Sequence, residues 1–396
     1  MGEKNLDFDT VIDRRGSYSI KYDAARENHM PEDVLPLWVA DMDFKVSSYI
    51  QEAVQKQAEH GIFGYSEMQE EYFQAVKGWM SRHYDWQVEP NWLVKTPGIV
   101  FALATAVRAF TKEGEAVLIQ PPVYHPFKNV TVNNGRKLVC NPLVLGEDGC
   151  YQIDFADFEE KIVKENVKLF LLCNPHNPVG RVWSREELER MGDICLKHQV
   201  IIVSDEIHAD FVFEGKHQVF VDIKDVFREI TVTATAPSKT FNIAGLQASN
   251  IFIPNPTLKE KFEKQMLAVG YGHLTVMGMV AAKAAYENGD EWYEAMHQYV
   301  KENIAFAKEF IEKRIPDVKM MHHQGTYLLW LDFRALSLSQ QELDDLVINQ
   351  AKLWLDDGGM FGAEGTGFQR VNVACPRKTL AEALERLERA VNALGK

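Results

Sequence analysis

Short apolar runs alternate with stretches of helical periodicity through the middle of the chain. The runs at 116–119, 168–173, 200–204, 230–235 and 249–253 predict strands. Several are near-continuous in apolar residues rather than alternating, the pattern of strands buried on both faces. Helical patterns fill most of the gaps. The clearest spans 184–198, where Ser184 and Glu187 form a capping box and Leu188, Met191 and Cys195 fall on one face. Another runs from Ile99 to Phe110 behind the turn Thr96-Pro97-Gly98. Such alternation predicts an α/β fold built on a doubly wound, mostly parallel sheet.

The character changes near Asp290. A long helical stretch covers about 290–314, a β segment 325–333, and a helix opens at Ser339 with Glu342. A strand at 370–374 and a helix from Thr379 follow. These predict a smaller α+β domain. The first 40 or so residues have few periodic features and are expected to wrap onto another surface. The expected division is a large domain at 45–287 and a second unit made of the N-terminal arm, 1–44, with 288–396. The length of 396 residues allows two or three domains at about 150 residues each, and the placement of the motifs makes it two.

Lysine and arginine number 43 against 57 aspartates and glutamates, a formal charge of −14. That balance argues against a nucleic-acid partner, which needs a basic face. No apolar run approaches the roughly 20 residues that cross a bilayer, so no membrane association is expected. Residues 1–15 are charged throughout, so no signal peptide is expected. The five cysteines form no CxxC pair and are odd in number, which fits a reduced, cytoplasmic protein.

In open α/β sheets, ligands bind beyond the carboxyl ends of the strands. The run 168–173 leads into Asn174-Pro175-His176-Asn177-Pro178. The run 200–204 leads into Asp205-Glu206-Ile207-His208-Ala209-Asp210, and 230–235 into Ala236-Pro237-Ser238-Lys239-Thr240. If these converge, they bring together a lysine, a carboxylate, an amide, an imidazole and the helix start behind Gly98. A helix N-terminus binds phosphate, a lysine condenses with an aldehyde, and a carboxylate keeps a ring nitrogen protonated. Together these suit pyridoxal phosphate.

At these residues the chain resembles the fold-type-I pyridoxal-phosphate enzymes of the class I/II aminotransferase superfamily, with the fold of aspartate aminotransferase. The likeness extends over nearly the whole chain. Three strings point to the MalY/PatB-type carbon–sulfur β-lyases, the cystathionine β-lyase branch. They are Leu37-Trp38-Val39-Ala40-Asp41-Met42-Asp43-Phe44, Asp205-Glu206-Ile207-His208, and the run from Ser238 to Gln247. The resemblance implies pyridoxal 5'-phosphate as cofactor and a small amino acid as substrate. Lys239 matches the lysine that holds the cofactor covalently and acts in catalysis. Asp205 matches the partner of the ring nitrogen, Asn177 the amide on the phenolic oxygen, and Tyr124 the ring that stacks on the cofactor. Gly98, Ile99 and Val100 match the phosphate-binding turn, with Ser238 and His208 completing the cofactor set. Tyr65 matches a tyrosine that reaches the neighbouring subunit's site, so a homodimer is implied. Arg370 matches the arginine that grips the substrate carboxylate, for which a planar fork is apt. Val39, Ala40, Tyr124, Asn177 and the segment Gly325-Thr326-Tyr327 are expected beside the substrate.

The sequence departs from the broad aminotransferase pattern in three places. His208 stands where many have Tyr, Gln247 where many have a phosphate-binding Arg, and Ala236 where Ser is frequent. The phosphate cup is thereby less cationic, with Thr235 or Ser238 left to supply a hydroxyl. These departures favour the lyase branch. The implied reaction is an α,β-elimination on cystathionine or another cysteine S-conjugate, giving pyruvate, ammonia and a thiol. Lys239, as a neutral amine, takes the α proton. The alternative is an aminotransferase of L-amino acids using the same residues. Asp205, Glu206, His208 and Asp210 are of metal-ligand type, but side chains at a strand end diverge, and no metal is expected. The glycine-rich stretch 358–367 reads as a flexible loop, His322-His323 as surface, and Met277 with Met279 as helix core.

Overall fold

The computed structural model describes residues 2–395. Residues 1 and 396, the outer limits of the expected second unit, lie outside the described residues. The large sheet has seven strands: β1 (Leu93–Thr96), β2 (Ala116–Ile119), β3 (Lys137–Cys140), β4 (Leu169–Cys173), β5 (Ile201–Asp205), β6 (Thr231–Thr235) and β7 (Ser249–Phe252). Their order is β1-β7-β6-β5-β4-β2-β3. The five strands from β6 to β3 pair in parallel, and β7 runs antiparallel to β6 and β1. The α/β, mostly parallel expectation therefore holds. An apolar run records burial but not direction, so the reversal of β7 has no counterpart in the sequence pattern.

The helices that matter for the site are α1 (Glu70–Tyr84), α2 (Ile99–Phe110), α3 (Arg185–Lys197), α4 (Pro237–Thr240), α5 (Asp290–Arg314) and α6 (Arg377–Asn392). At the start of α3 the Ser184 hydroxyl accepts from Glu187 N at 3.2 Å, and Glu187 Oε2 accepts from Ser184 N at 2.8 Å. Two otherwise orphaned N–H groups are satisfied, which fixes where the helix begins. Both sheet faces are covered. Val117, Leu169, Leu171 and Val203 pack against Ala102, Leu103 and Ala106 of α2. Leu118, Phe170, Leu172 and Ile202 pack against Leu188, Met191 and Cys195 of α3. Each Val, Leu, Ile, Phe or Met among them contributes about 1.5–3 kcal/mol on burial. That is why β4 tolerates no polar position.

A second sheet, order β8-β9-β11-β10, is antiparallel throughout and consists of β8 (Lys319–Met320), β9 (Leu328–Asp332), β10 (Asp356–Asp357) and β11 (Phe368–Asn372). Leu329, Leu331 and Val371 share a core with Phe310 and Ile311 of α5 and Leu380 and Leu384 of α6. The N-terminal segment joins this region. Leu35–Pro36 pairs in parallel with Leu353–Trp354, and the Trp38 ring stacks on Trp354 at 4.3 Å. Arg14 binds Asp41 and Asp43, and the fully buried Lys21 binds Asp43 at 2.8 Å. These ion pairs hold residues 37–44 as a strap across the carboxyl edge of the large sheet.

Two expectations fail. The stretch 358–367 is not a flexible loop. It folds as two 3₁₀ turns, Gly358–Phe361 and Ala363–Gly365, with Phe361 buried. Its glycines serve close approach rather than freedom, because a Cβ on Gly358 would stand 2.1 Å from the Gly365 carbonyl oxygen. Gly358→Ala is expected to cost about 1–3 kcal/mol, seen as a lower urea midpoint at unchanged slope. Nor is the His pair all surface. His322 is exposed and faces Glu214, but His323 is half-buried with Nε2 2.9 Å from the Thr326 carbonyl.

Candidate active site

The parallel strands β2, β4, β5 and β6 end at one cleft, placed where ligands bind in open α/β sheets. Lys239 enters it from α4, which follows β6 directly. Asp205 is the last residue of β5, and Asn177 follows β4. Tyr124 comes from the segment after β2, and its N–H donates to the Asn177 carbonyl at 3.0 Å. Gly98, Ile99, Val100, His208, Ser238 and Ala40 also line the cleft.

Lys239 Nζ donates to the Ala40 carbonyl at 2.6 Å, so the strap reaches the lysine. The buried Tyr327 hydroxyl donates to the same oxygen at 2.9 Å. Burial lowers the Lys239 amine to about 8; Asp41 and Asp205 oppose that fall and Arg370 adds to it. A lysine in that range is readily neutral, as a base must be. Asp205 is pushed up to about 7 by burial, with Glu206 adding and the Ile207 N–H and Lys239 opposing. Its Oδ1 accepts from Ile207 N at 3.1 Å, and no hydrogen bond to a cation is formed among the described residues. The His208 imidazole is held well below its usual range by burial, then by Lys239 and Arg370. Its Nδ1 is buried without a partner.

These features fit pyridoxal 5'-phosphate. Gly98 precedes helix α2 and offers no side-chain cap, leaving first-turn N–H groups for an anion. The carboxylate of Asp205 lacks the cation that a protonated ring nitrogen would provide. Cation-bearing residues for the phosphate are few, and Gln247 does stand in the cleft wall, beside Ser249.

Arg370, on β11, is buried and reaches Asn177 Oδ1 at 2.9 Å with Nη1. It also bonds the Trp38 carbonyl at 3.0 Å and pairs with Asp356. Not every expected residue converges. Val39 does not line the cleft; its carbonyl accepts from Asn372 Nδ2 at 2.7 Å. Tyr65 is fully exposed and sits in a separate groove with Tyr271 and His273. The four residues of metal-ligand type do not share one site. Asp205 and His208 line the cleft, while Glu206 binds His217 and Ser204, each at 2.8 Å. Asp210 accepts from Trp79 at 3.2 Å and from Tyr84 and Thr240. Asp210 thereby ties α1 to the turn that carries Lys239.

Sequence reasoning missed Asp356, Asp210, Ser249 and the cleft-lining Cys173. The signal for Asp210 was present in its short distance from Asp205. None existed for Asp356, which meets Arg370 through strand register.

Residues 32–387 match the family model described as aminotransferase class I and II. The chain is 44% identical to cystathionine beta-lyase PatB of Bacillus subtilis, over 98% of this chain and all of that one. A pyridoxal-phosphate-bound putative aminotransferase from Clostridium difficile superposes with a TM-score of 0.95 at 41% identity, covering 98% of this chain and 100% of that one. Cystalysin from Treponema denticola, whose structure contains a pyridoxal 5'-phosphate cofactor, gives 0.94 at 39% identity, with 98% and 99% covered. On the shared fold, the strand-end cleft and this full-length likeness, the chain belongs to the class I and II aminotransferase family.

Proposed function

We propose that this protein is a pyridoxal 5'-phosphate-dependent carbon–sulfur β-lyase acting on cystathionine or other cysteine S-conjugates. The observation that carries the reading is the meeting of Lys239, Asp205 and the uncapped start of α2 in one cleft. Relatives named cystathionine beta-lyase and the solved cystalysin support the lyase over the aminotransferase.

When bound, the cofactor supplies an electrophilic carbon for the substrate amine and a protonated ring that draws electrons from the α carbon. Asp205 holds the proton on the ring nitrogen, and the first-turn N–H groups of α2 hold the phosphate. Arg370 receives the α-carboxylate, with Asn177 bonded to it. Lys239 Nζ takes the α proton. The C–S bond then breaks, the sulfur leaves with the electron pair, and Lys239 is placed to return a proton to it. Water completes the balance, giving thiol, pyruvate and ammonium.

Tyr65 works in the neighbouring subunit's site of a homodimer. Its full exposure beside exposed Ile62 and Phe63 supports that. The two sheets support a division into 45–287 and the joined ends 1–44 and 288–396. Five free cysteines support the cytoplasm, and among the described residues no helix is long and apolar enough to cross a membrane. The test is cystathionine with and without 2-oxoglutarate. Pyruvate and homocysteine are expected in equal amounts without the keto acid. Turnover that requires 2-oxoglutarate would establish the transaminase instead.

A further inference from the structure

We propose that Asp356 is an internal counter-anion that competes with the substrate carboxylate for Arg370 and so sets how selectively the site accepts carboxylates. The inference rests on the assignment of Arg370 to the substrate carboxylate given above.

The pair is built into the sheet. Asp356 of β10 lies directly opposite Arg370 of β11 in the antiparallel register. Such partners point to one face with Cβ atoms about 4.5–5.5 Å apart. The backbone ladder therefore keeps the carboxylate beside the guanidinium whatever the nearby turns do. Both side chains are buried, at 7% and 5% exposure, so water screens the pair little.

Counting hydrogens shows the competition. A guanidinium has five N–H donors in a rigid fork. Here Nη2 donates to Asp356 and to the Trp38 carbonyl, and Nη1 donates to Asn177 Oδ1. Nε is buried with no partner. A carboxylate held by two parallel N–H bonds needs one edge of the fork, either Nη1 with Nη2 or Nε with Nη2. Both edges include Nη2, whose hydrogens are taken. A substrate gains the bidentate grip only by displacing a partner there, and Asp356 is the charged one.

Arg370 does not need Asp356 to keep its pose. Trp38 and Asn177 hold it by hydrogen bonds, and its Cζ lies 4.8 Å from the centre of the Phe361 ring. Removing the Asp356 charge leaves a buried, placed and uncompensated cation. Simple carboxylates, including the product pyruvate, would then bind more tightly. With Asp356 present, only a ligand whose amine is also captured beside Lys239 has the surplus to displace it.

The experiment uses the holoenzyme carrying Asp356→Asn, with Asp356→Ser as the second variant should the first fold poorly. The readouts are KM for cystathionine, the inhibition constant of propionate, and the thermal midpoint with and without propionate. Both constants are expected to fall about tenfold. The midpoint is expected to fall without propionate and recover with it. Constants that rise or stay unchanged in both variants overturn the inference. Arg370→Gln separates the two levels. If it leaves both constants unchanged, the carboxylate assignment itself is wrong. If it raises both while the Asp356 variants lower neither, only the competition is overturned.

Discussion

Lys239→Ala is expected to abolish pyruvate release from cystathionine, with kcat falling by at least about 10⁴-fold. It should also abolish the absorbance of the covalently held cofactor. The size follows from two roles resting on one nitrogen. Lys239 is the one lysine among the described residues lining the cleft, and it is the group placed both to hold the cofactor and to take the α proton. Its surroundings prepare it. Burial brings the amine to about 8, and the Ala40 carbonyl fixes Nζ from the strap. Alanine removes the base and opens space without disturbing a salt bridge, so the variant should fold and still bind free cofactor at the α2 terminus. Added methylamine should restore a small fraction of the rate, because it supplies the missing base. Full turnover by the variant would overturn the mechanism.

Much of the site was legible because it sits where parallel strands end, and such strands are the most recognisable elements of the chain. Asp205 and Asn177 follow buried apolar runs, and Lys239 follows another through one short turn. What the sequence pattern could not carry was relation between distant segments. Val39 and Ala40 are neighbours, yet one carbonyl turns to Asn372 and the other to Lys239. Asp356 and Arg370 meet only through the register of β10 on β11. Tyr65 is exposed and lies outside its own chain's cleft, and its proposed work needs a second copy. Glycine-rich stretches are read as loose, and here the reading failed because a missing Cβ permits contact as readily as motion.

Asp205 carries the other large effect, and its sign depends on whether the cofactor is present. In the loaded enzyme, Asp205→Asn is expected to lower kcat at least about 10²-fold, because no other carboxylate among the described residues lines the cleft to keep the ring nitrogen protonated. In the cofactor-free chain the same change should stabilise. The buried carboxyl there is pushed up to about 7 from its usual 3.8. Between those values the folded chain keeps a proton that the unfolded chain has released. Stability therefore falls as pH rises through the window and levels off above it. Asparagine has no such proton. The urea midpoint of the cofactor-free variant should exceed the parent's by more at pH 8 than at pH 5. With cofactor bound, the order should reverse, since the parent's carboxylate then has its cation and the variant's amide does not. A gap that is the same at both pH values would mean that the buried carboxyl is not raised, and one that keeps its sign on loading would mean that Asp205 does not serve the ring nitrogen. The cost of burying this charge without a partner is thus the measure of what the cofactor supplies when it binds.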